Sequence, residues 1–221
     1  MRLKGIHILF FIFFSVHIQA ESNIYFSSVN MGNGLSQLSV TSIYQDELGS
    51  IWFGTREGVN KYNGGNSMMV ILPKADSEQS LSGSLIKNVC GNQNGSVYIQ
   101  TQNGVDEYNL QTSTISSIES KQVDAISYGS YNLWIAEGIN LFSYKDGEKK
   151  LFAQLKQSKS AIKIIYQTQD NRIFLGTLSS GVFIINENKE VKQIIPDCSQ
   201  VSSIFEDGKK NIWIGTWHNG L

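Results

Sequence analysis

Ile51-Trp52-Phe53-Gly54-Thr55 decides the fold, because it returns down the chain. A near copy stands at Ile212-Trp213-Ile214-Gly215-Thr216. Looser copies are Val97-Tyr98-Ile99-Gln100-Thr101, Leu133-Trp134-Ile135-Ala136 and Ile173-Phe174-Leu175-Gly176-Thr177. The central aromatics, Trp52, Tyr98, Trp134, Phe174 and Trp213, recur at intervals of about 40 residues, the length of a four-stranded propeller blade.

The flanks repeat as well. A polar turn precedes most copies: Asp46-Glu47-Leu48-Gly49, Asn92-Gln93-Asn94-Gly95, Gln169-Asp170-Asn171 and Asp207-Gly208. Asp, Asn and Gly suit such turns because they tolerate positive φ or bond their own backbone. Ahead of each turn lies an apolar segment: Val40 to Tyr44, Ile86 to Cys90, Val123 to Tyr128, Ile162 to Tyr166 and Val201 to Phe205. Behind each aromatic comes Gly58, Gly104, Gly138, Gly181 or Gly220, followed directly by an aliphatic residue. The unit therefore reads strand, polar turn, aromatic strand, glycine turn, strand, and a variable fourth strand.

The apolar runs are short and lack a 3.6-residue period. Helix signals are nearly absent: the best candidate, Ala153 to Ser160, is short and polar, and Pro73 and Pro196 fall between repeats. The predicted fold class is all-β, built from consecutive antiparallel β-propeller blades with motif cores at 40–64, 86–108, 123–144, 162–184 and 201–221. Trp52, Trp134 and Trp213 are expected to be buried between neighbouring blades.

Hydrophobic residues make up 41%, enough for a core, and the net charge of −1 gives no electrostatic case for nucleic acid or an anionic surface. The first 20 residues read as a signal peptide: Arg2 and Lys4, an apolar run from Ile6 to Val16, then Ala20 at the expected cut. An uncleaved N-terminal anchor is the competing reading, although the run is short for a membrane span of about 20 apolar residues. Residues 26–221 are then an exported, periplasmic partial propeller. Cys90 and Cys198 fall on repeats too far apart to pair, so free thiols are expected.

The run from Val40 to Gly64 resembles the two-component regulator propeller repeat. The lead-ins Gly34-Leu35-Ser36 and Ser80-Leu81-Ser82, and Phe205-Glu206-Asp207-Gly208 through Gly220-Leu221, resemble it too. The third copy departs, with Gly129-Ser130 in place of the acidic turn, and the second has Gln100 where Gly54 stands in the first. The resemblance implies part of a seven-bladed propeller from the periplasmic region of a hybrid two-component histidine kinase. It implies further blades, a downstream sensor kinase, a homodimer of the parent and an oligosaccharide ligand. On that reading the chain is an N-terminal portion of a sensor. It carries no catalysis, because no histidine stands where a kinase phosphoacceptor would.

The repeated aromatics could stack on sugars, but one aromatic per blade at a fixed position is more simply inter-blade packing. The structural set is Trp52, Gly54, Tyr98, Trp134, Phe174, Gly176, Trp213 and Gly215. The ligand candidates lie instead in the turn after each motif strand: Arg56 and Glu57, Gln102 and Asn103, Trp217 and His218. Asp46, Asp170 and Asp207 are read as turn formers, since calcium needs several oxygen ligands at close spacing. No Cys/His spacing fits zinc; a Ser-His-Asp triad would have to use His218, with no nucleophile-elbow glycines around any serine, and a carboxylate pair is unsupported because the acids map to turns, so no catalytic residue and no cofactor is expected. The alternative to a sensor is a secreted propeller enzyme, a polysaccharide lyase or hydrolase.

Overall fold

Each motif copy forms the second strand of an antiparallel sheet. The computed structural model describes residues 26, 28–65, 68–75, 77, 79–196, 198 and 200–218. The first sheet is β1 (Val40–Gln45), β2 (Ile51–Thr55), β3 (Gly58–Tyr62) and β4 (Met68–Ile71). The second is β5 (Ile86–Gly91), β6 (Ser96–Thr101), β7 (Val105–Asn109) and β8 (Ile115–Glu119). The third is β9 (Ala125–Tyr128), β10 (Leu133–Glu137), β11 (Asn140–Lys145) and β12 (Glu148–Gln154). The fourth is β13 (Ile162–Gln167), β14 (Ile173–Thr177), β15 (Val182–Ile185) and β16 (Val191–Ile195). A hairpin of β17 (Val201–Glu206) and β18 (Ile212–Thr216) follows. The architecture is that of an all-β propeller, with strands paired in chain order inside each sheet. The first strands adjoin one another, β1 to β5, β5 to β9, β9 to β13 and β13 to β17, so they are innermost and the sheets fan outward from them.

The hydrophobic core lies between sheets rather than within them. Trp52, Val59 and Ile71 pack on Ile86, Val97, Ile99 and Tyr108 of the next sheet. Tyr98 and Val105 meet Val123, Ile126, Leu133 and Ile135. Trp134 and Leu141 meet Ile162, Leu175 and Phe183, and Phe174 and Val182 meet Val201 and Ile204. A strand covered on both sides carries no polar alternation. Accordingly β6 and β14 are buried at every residue. The small residue of the motif has its reason here. A Cβ on Gly54 would come within 2.8 Å of Ile86 Cγ2, and one on Gly176 within 2.5 Å of Val201 Cγ1. In the second sheet Gln100 takes this position and its Nε2 donates to Val123 O at 3.0 Å, stitching that sheet to the third.

One expectation needs correction. Trp52 and Trp134 are buried, at 0% and 2% exposure, but Trp213 is 49% exposed. Among the described residues no sheet follows β18, so the outer face of that hairpin lacks the cover that buries its counterparts. The segment 153–160 is not a helix. Ala153 and Gln154 end β12, where they pair with Leu141 and Asn140, and Leu155 is anchored through its N–H to Ile139 O. The expectations for residues 1–20 and for Gly220 and Leu221 lie outside the described residues.

The second and third sheets share a tyrosine-rich contact. Tyr98 stacks on Tyr128 at 5.7 Å, beside the free Cys90. Burial pushes Tyr44 up to about 12 and the Cys90 thiol up to about 12, and raises Tyr98, Tyr128 and Tyr144 as well. Unfolded tyrosines ionise near 10, so from there upward the unfolded chain binds fewer protons than the folded one. Stability should therefore begin to fall near pH 9, where an unfolded cysteine ionises, and fall more steeply from about 10 toward 12. Denaturation midpoints across this window, with tyrosinate absorbance, check it; a flat profile is the opposing result. By the same burial Cys90 should resist alkylation at neutral pH until the chain unfolds.

Candidate functional site

Because strands alternate in direction, each blade presents its turns at two ends. The β2–β3 type of turn and the inter-blade connectors share one end. The β1–β2 and β3–β4 types share the other. All six predicted ligand residues fall at the first end. Arg56 and Glu57 are exposed in the β2–β3 turn, and Trp217 and His218 are exposed just past β18. Gln102 and Asn103 are committed to structure: Gln102 Oε1 accepts from Leu85 N at 2.8 Å, and Asn103 Nδ2 donates to Ser82 O at 2.7 Å. These pairs sit on the first, second and fifth blades, so they do not form one contiguous cluster.

The same two bonds hold a connector, and this explains the Leu-Ser lead-ins. In the first blade Ser36 N donates to Asn60 Oδ1 at 2.8 Å, Asn60 Nδ2 donates to Ser36 Oγ at 2.9 Å, and Ser36 Oγ lies 3.0 Å from Thr55 Oγ1. In the second blade Ser82 occupies the place of Ser36, Thr101 that of Thr55 and Asp106 that of Asn60. The copy is imperfect. Asp106 Oδ2 accepts from both Ser82 N and Ser82 Oγ, whereas the fully buried Oδ1 has no partner. Burial raises the Asp106 carboxyl above its ordinary value.

Asp106→Asn is therefore expected to stabilise the fold by about 1 kcal/mol at neutral pH, because the amide can repeat the Asn60 arrangement without a buried charge. Below the ordinary carboxylate value both states of the wild type are protonated and the charge costs nothing. As pH rises toward the raised value the unfolded chain ionises first and the wild type loses stability. The gap between the Asp106→Asn variant and the wild type should open over that window in urea titrations. A constant gap would place its origin elsewhere.

At the opposite end the turn acids act as indole acceptors. Asp46 Oδ1 accepts from Leu48 N and Ser50 N at 3.0 and 2.9 Å, and its Oδ2 accepts from Trp52 Nε1 at 2.8 Å. Asp207 repeats this with Lys209 N, Asn211 N and Trp213 Nε1. The Trp213 indole N–H, with Asn211, holds the Asp207 carboxyl down at about 2. Sequence reasoning places these acids in turns and misses their bonds to the motif tryptophans. A signal for them exists: a fixed six-residue spacing from acid to Trp in both copies.

The third blade solves the same problem differently. Gly129-Ser130 stands where the acid turn would be, and the Trp134 indole donates instead to Gln167 Oε1 of the fourth blade at 2.9 Å. Ser130 N donates to the same oxygen at 3.1 Å. A Cβ at 129 would lie 1.7 Å from Gln167 Oε1 and 2.5 Å from Trp134 Nε1, so a larger residue there would push Gln167 off the indole. Above this contact opens a cleft of about 330 Å³ between the third and fourth blades, at the end opposite the predicted residues. Its lining includes Tyr131, Asn132, Phe152, Asn171, Glu187 and Lys189. Among the described residues no group of three or more His, Cys, Asp or Glu is placed to hold a metal ion.

Both complete Asp–Trp pairs fall inside segments that match a known family. Residues 34–57 and 195–218 match the two component regulator propeller. Two segments of the chain thus match this repeat. This chain is 42% identical over 66 residues to histidine kinase P4 of Formosa agariphila, a match covering 29% of this chain and 5% of that protein. It is similar to the extracellular domain of a hybrid two component system from B. thetaiotaomicron, with a TM-score of 0.74, 24% identity, and coverage of 87% of this chain and 29% of the other. Virginiamycin B lyase from Staphylococcus aureus shares the fold at a TM-score of 0.62 and 14% identity, covering 80% and 62%. At these identities the solved structures speak for the propeller fold alone. The chain spans less than a third of the length of these first two relatives.

Proposed function

We propose that this chain is an extracytoplasmic, ligand-binding propeller segment of a hybrid two-component signalling protein, and that it binds an oligosaccharide without cleaving it. The regulator-propeller match at residues 34–57 and 195–218 carries this reading. The likenesses to a histidine kinase and to an extracellular sensor domain support it. Export follows from the signal-peptide pattern of residues 1–20, with the mature chain in the periplasm and a kinase, further blades and a second copy of the parent as its partners. N-terminal sequencing of the cell-associated protein tests the location; an intact Met1 in the cytoplasmic fraction overturns it.

Fold does not fix function, and a lyase shares this one. The discriminating experiment incubates the full chain with oligosaccharide digests of laminarin, alginate and pectin. A rise in melting temperature with at least one digest and no new products by chromatography is the expected result. Shortened products would make the chain an enzyme. No shift with any digest would overturn the oligosaccharide ligand.

A further inference from the structure

We propose that the cleft between the third and fourth blades is a saccharide subsite, built by the very residues at which the third repeat departs from the others. This rests on the ligand-binding reading above and gives it a place. Two blades use an Asp in the first turn to cap the motif tryptophan, which closes the turn over its own indole. In the third blade that acid is missing and the neighbour's Gln167 does the capping. The tryptophan remains satisfied and buried, while the turn is released to carry something else. It carries Tyr131, which is 72% exposed and makes no aromatic contact among the described residues.

The surroundings of that ring suit a sugar. Asn171 Oδ1 is occupied by Ser130 Oγ at 3.0 Å and Gln167 Nε2 at 3.2 Å, which fixes the amide and turns its Nδ2, unpartnered among the described residues, free for a ligand hydroxyl. Lys189 Nζ stands 5.0 Å from the centre of the Phe152 ring with no carboxylate partner among the described residues, and the Glu187 carboxylate is likewise unpaired. An exposed flat ring for the C–H face of a pyranose, beside a fixed amide, an ammonium and a carboxylate for its hydroxyls, is the combination that small-ligand sites use to set orientation. The volume of about 330 Å³ lies at the lower end of the range of about 300–1,000 Å³ for such sites, fitting one or two sugar rings.

Saturation-transfer NMR on the full chain tests this, with a panel of gluco-, galacto-, manno- and uronic disaccharides at millimolar concentration. At least one disaccharide should show transfer, and its affinity should fall about tenfold or more in Tyr131→Ala and in Asn171→Ala. Tyr131 is exposed, so Tyr131→Ala should keep the wild-type melting temperature; Asn171 stands at a φ of 64° and accepts from Gln167 Nε2, so Asn171→Ala should melt lower, and its binding is read well below that measured melting temperature. Arg56→Ala with Glu57→Ala, at the opposite end, should bind as the wild type does. Binding that survives Tyr131→Ala and Asn171→Ala overturns the subsite and leaves the oligosaccharide reading standing. Loss in the Arg56/Glu57 variant alone moves the ligand to the other end. No transfer from any disaccharide overturns the subsite, and the polysaccharide digests then decide separately whether a longer ligand binds elsewhere.

Discussion

Trp52→Ala should lower the unfolding free energy by about 3–5 kcal/mol, the range for a large aromatic removed from a core. The indole is fully buried, meets Tyr108 of the next blade edge-on at 5.1 Å, and has Lys61 Nζ 5.2 Å from its ring centre. Its removal opens a void in the contact between two blades, where β5 and β7 are held in place and collapse is costly. Trp213→Ala is the internal control. It removes the same motif residue from a half-exposed site and should cost much less. Chemical denaturation of both variants decides. Equal losses at the two positions would mean that burial between blades is not what the motif tryptophan supplies.

Asp46→Ala should cost about 2–4 kcal/mol, although it deletes only one small side chain. Three donors lose their acceptor at once: Leu48 N, Ser50 N and Trp52 Nε1. The last is buried and has no water to turn to, so the full desolvation cost of an unpaired group remains. Asp46→Asn should recover part of the loss, since the amide oxygen can still serve the turn while its NH2 faces the indole N–H, donor to donor. A double-mutant cycle isolates the indole bond. In a Trp52→Phe background, Asp46→Ala should cost less by about 1–3 kcal/mol. Additive losses would assign the whole effect to the turn.

How much of this is legible in the sequence follows from which physics is local. The blades are legible because strand, turn and motif recur, and each recurrence reports the same packing between sheets. The role of glycine at 54 and 176 can be marked by position, but its cause is a methyl group on the following sheet, which no local pattern contains. The partners of Ser36 and Ser82 lie 19 or 24 residues away, and are visible only as a recurring lead-in. The six predicted ligand residues rest on the rule that turns carry function, which does not say which end of a blade binds. Gly129-Ser130 looks in the sequence like decay of the repeat. It is an exchange of one indole acceptor for another across a blade boundary, and only the fold brings Gln167 to that place.

A core that lies between sheets has a consequence for synthesis. A ribosome delivering this chain finishes a blade about 40 residues before it delivers the surface that covers it. At about 5–20 residues per second, that leaves Trp52 or Phe174 bare for roughly 2–8 s on each nascent chain. Each blade can form its own hydrogen bonds at once yet waits for its successor before it becomes dry. The growing end of the array is therefore always the sticky one, and a factor that shields a single exposed indole need recognise only that moving edge.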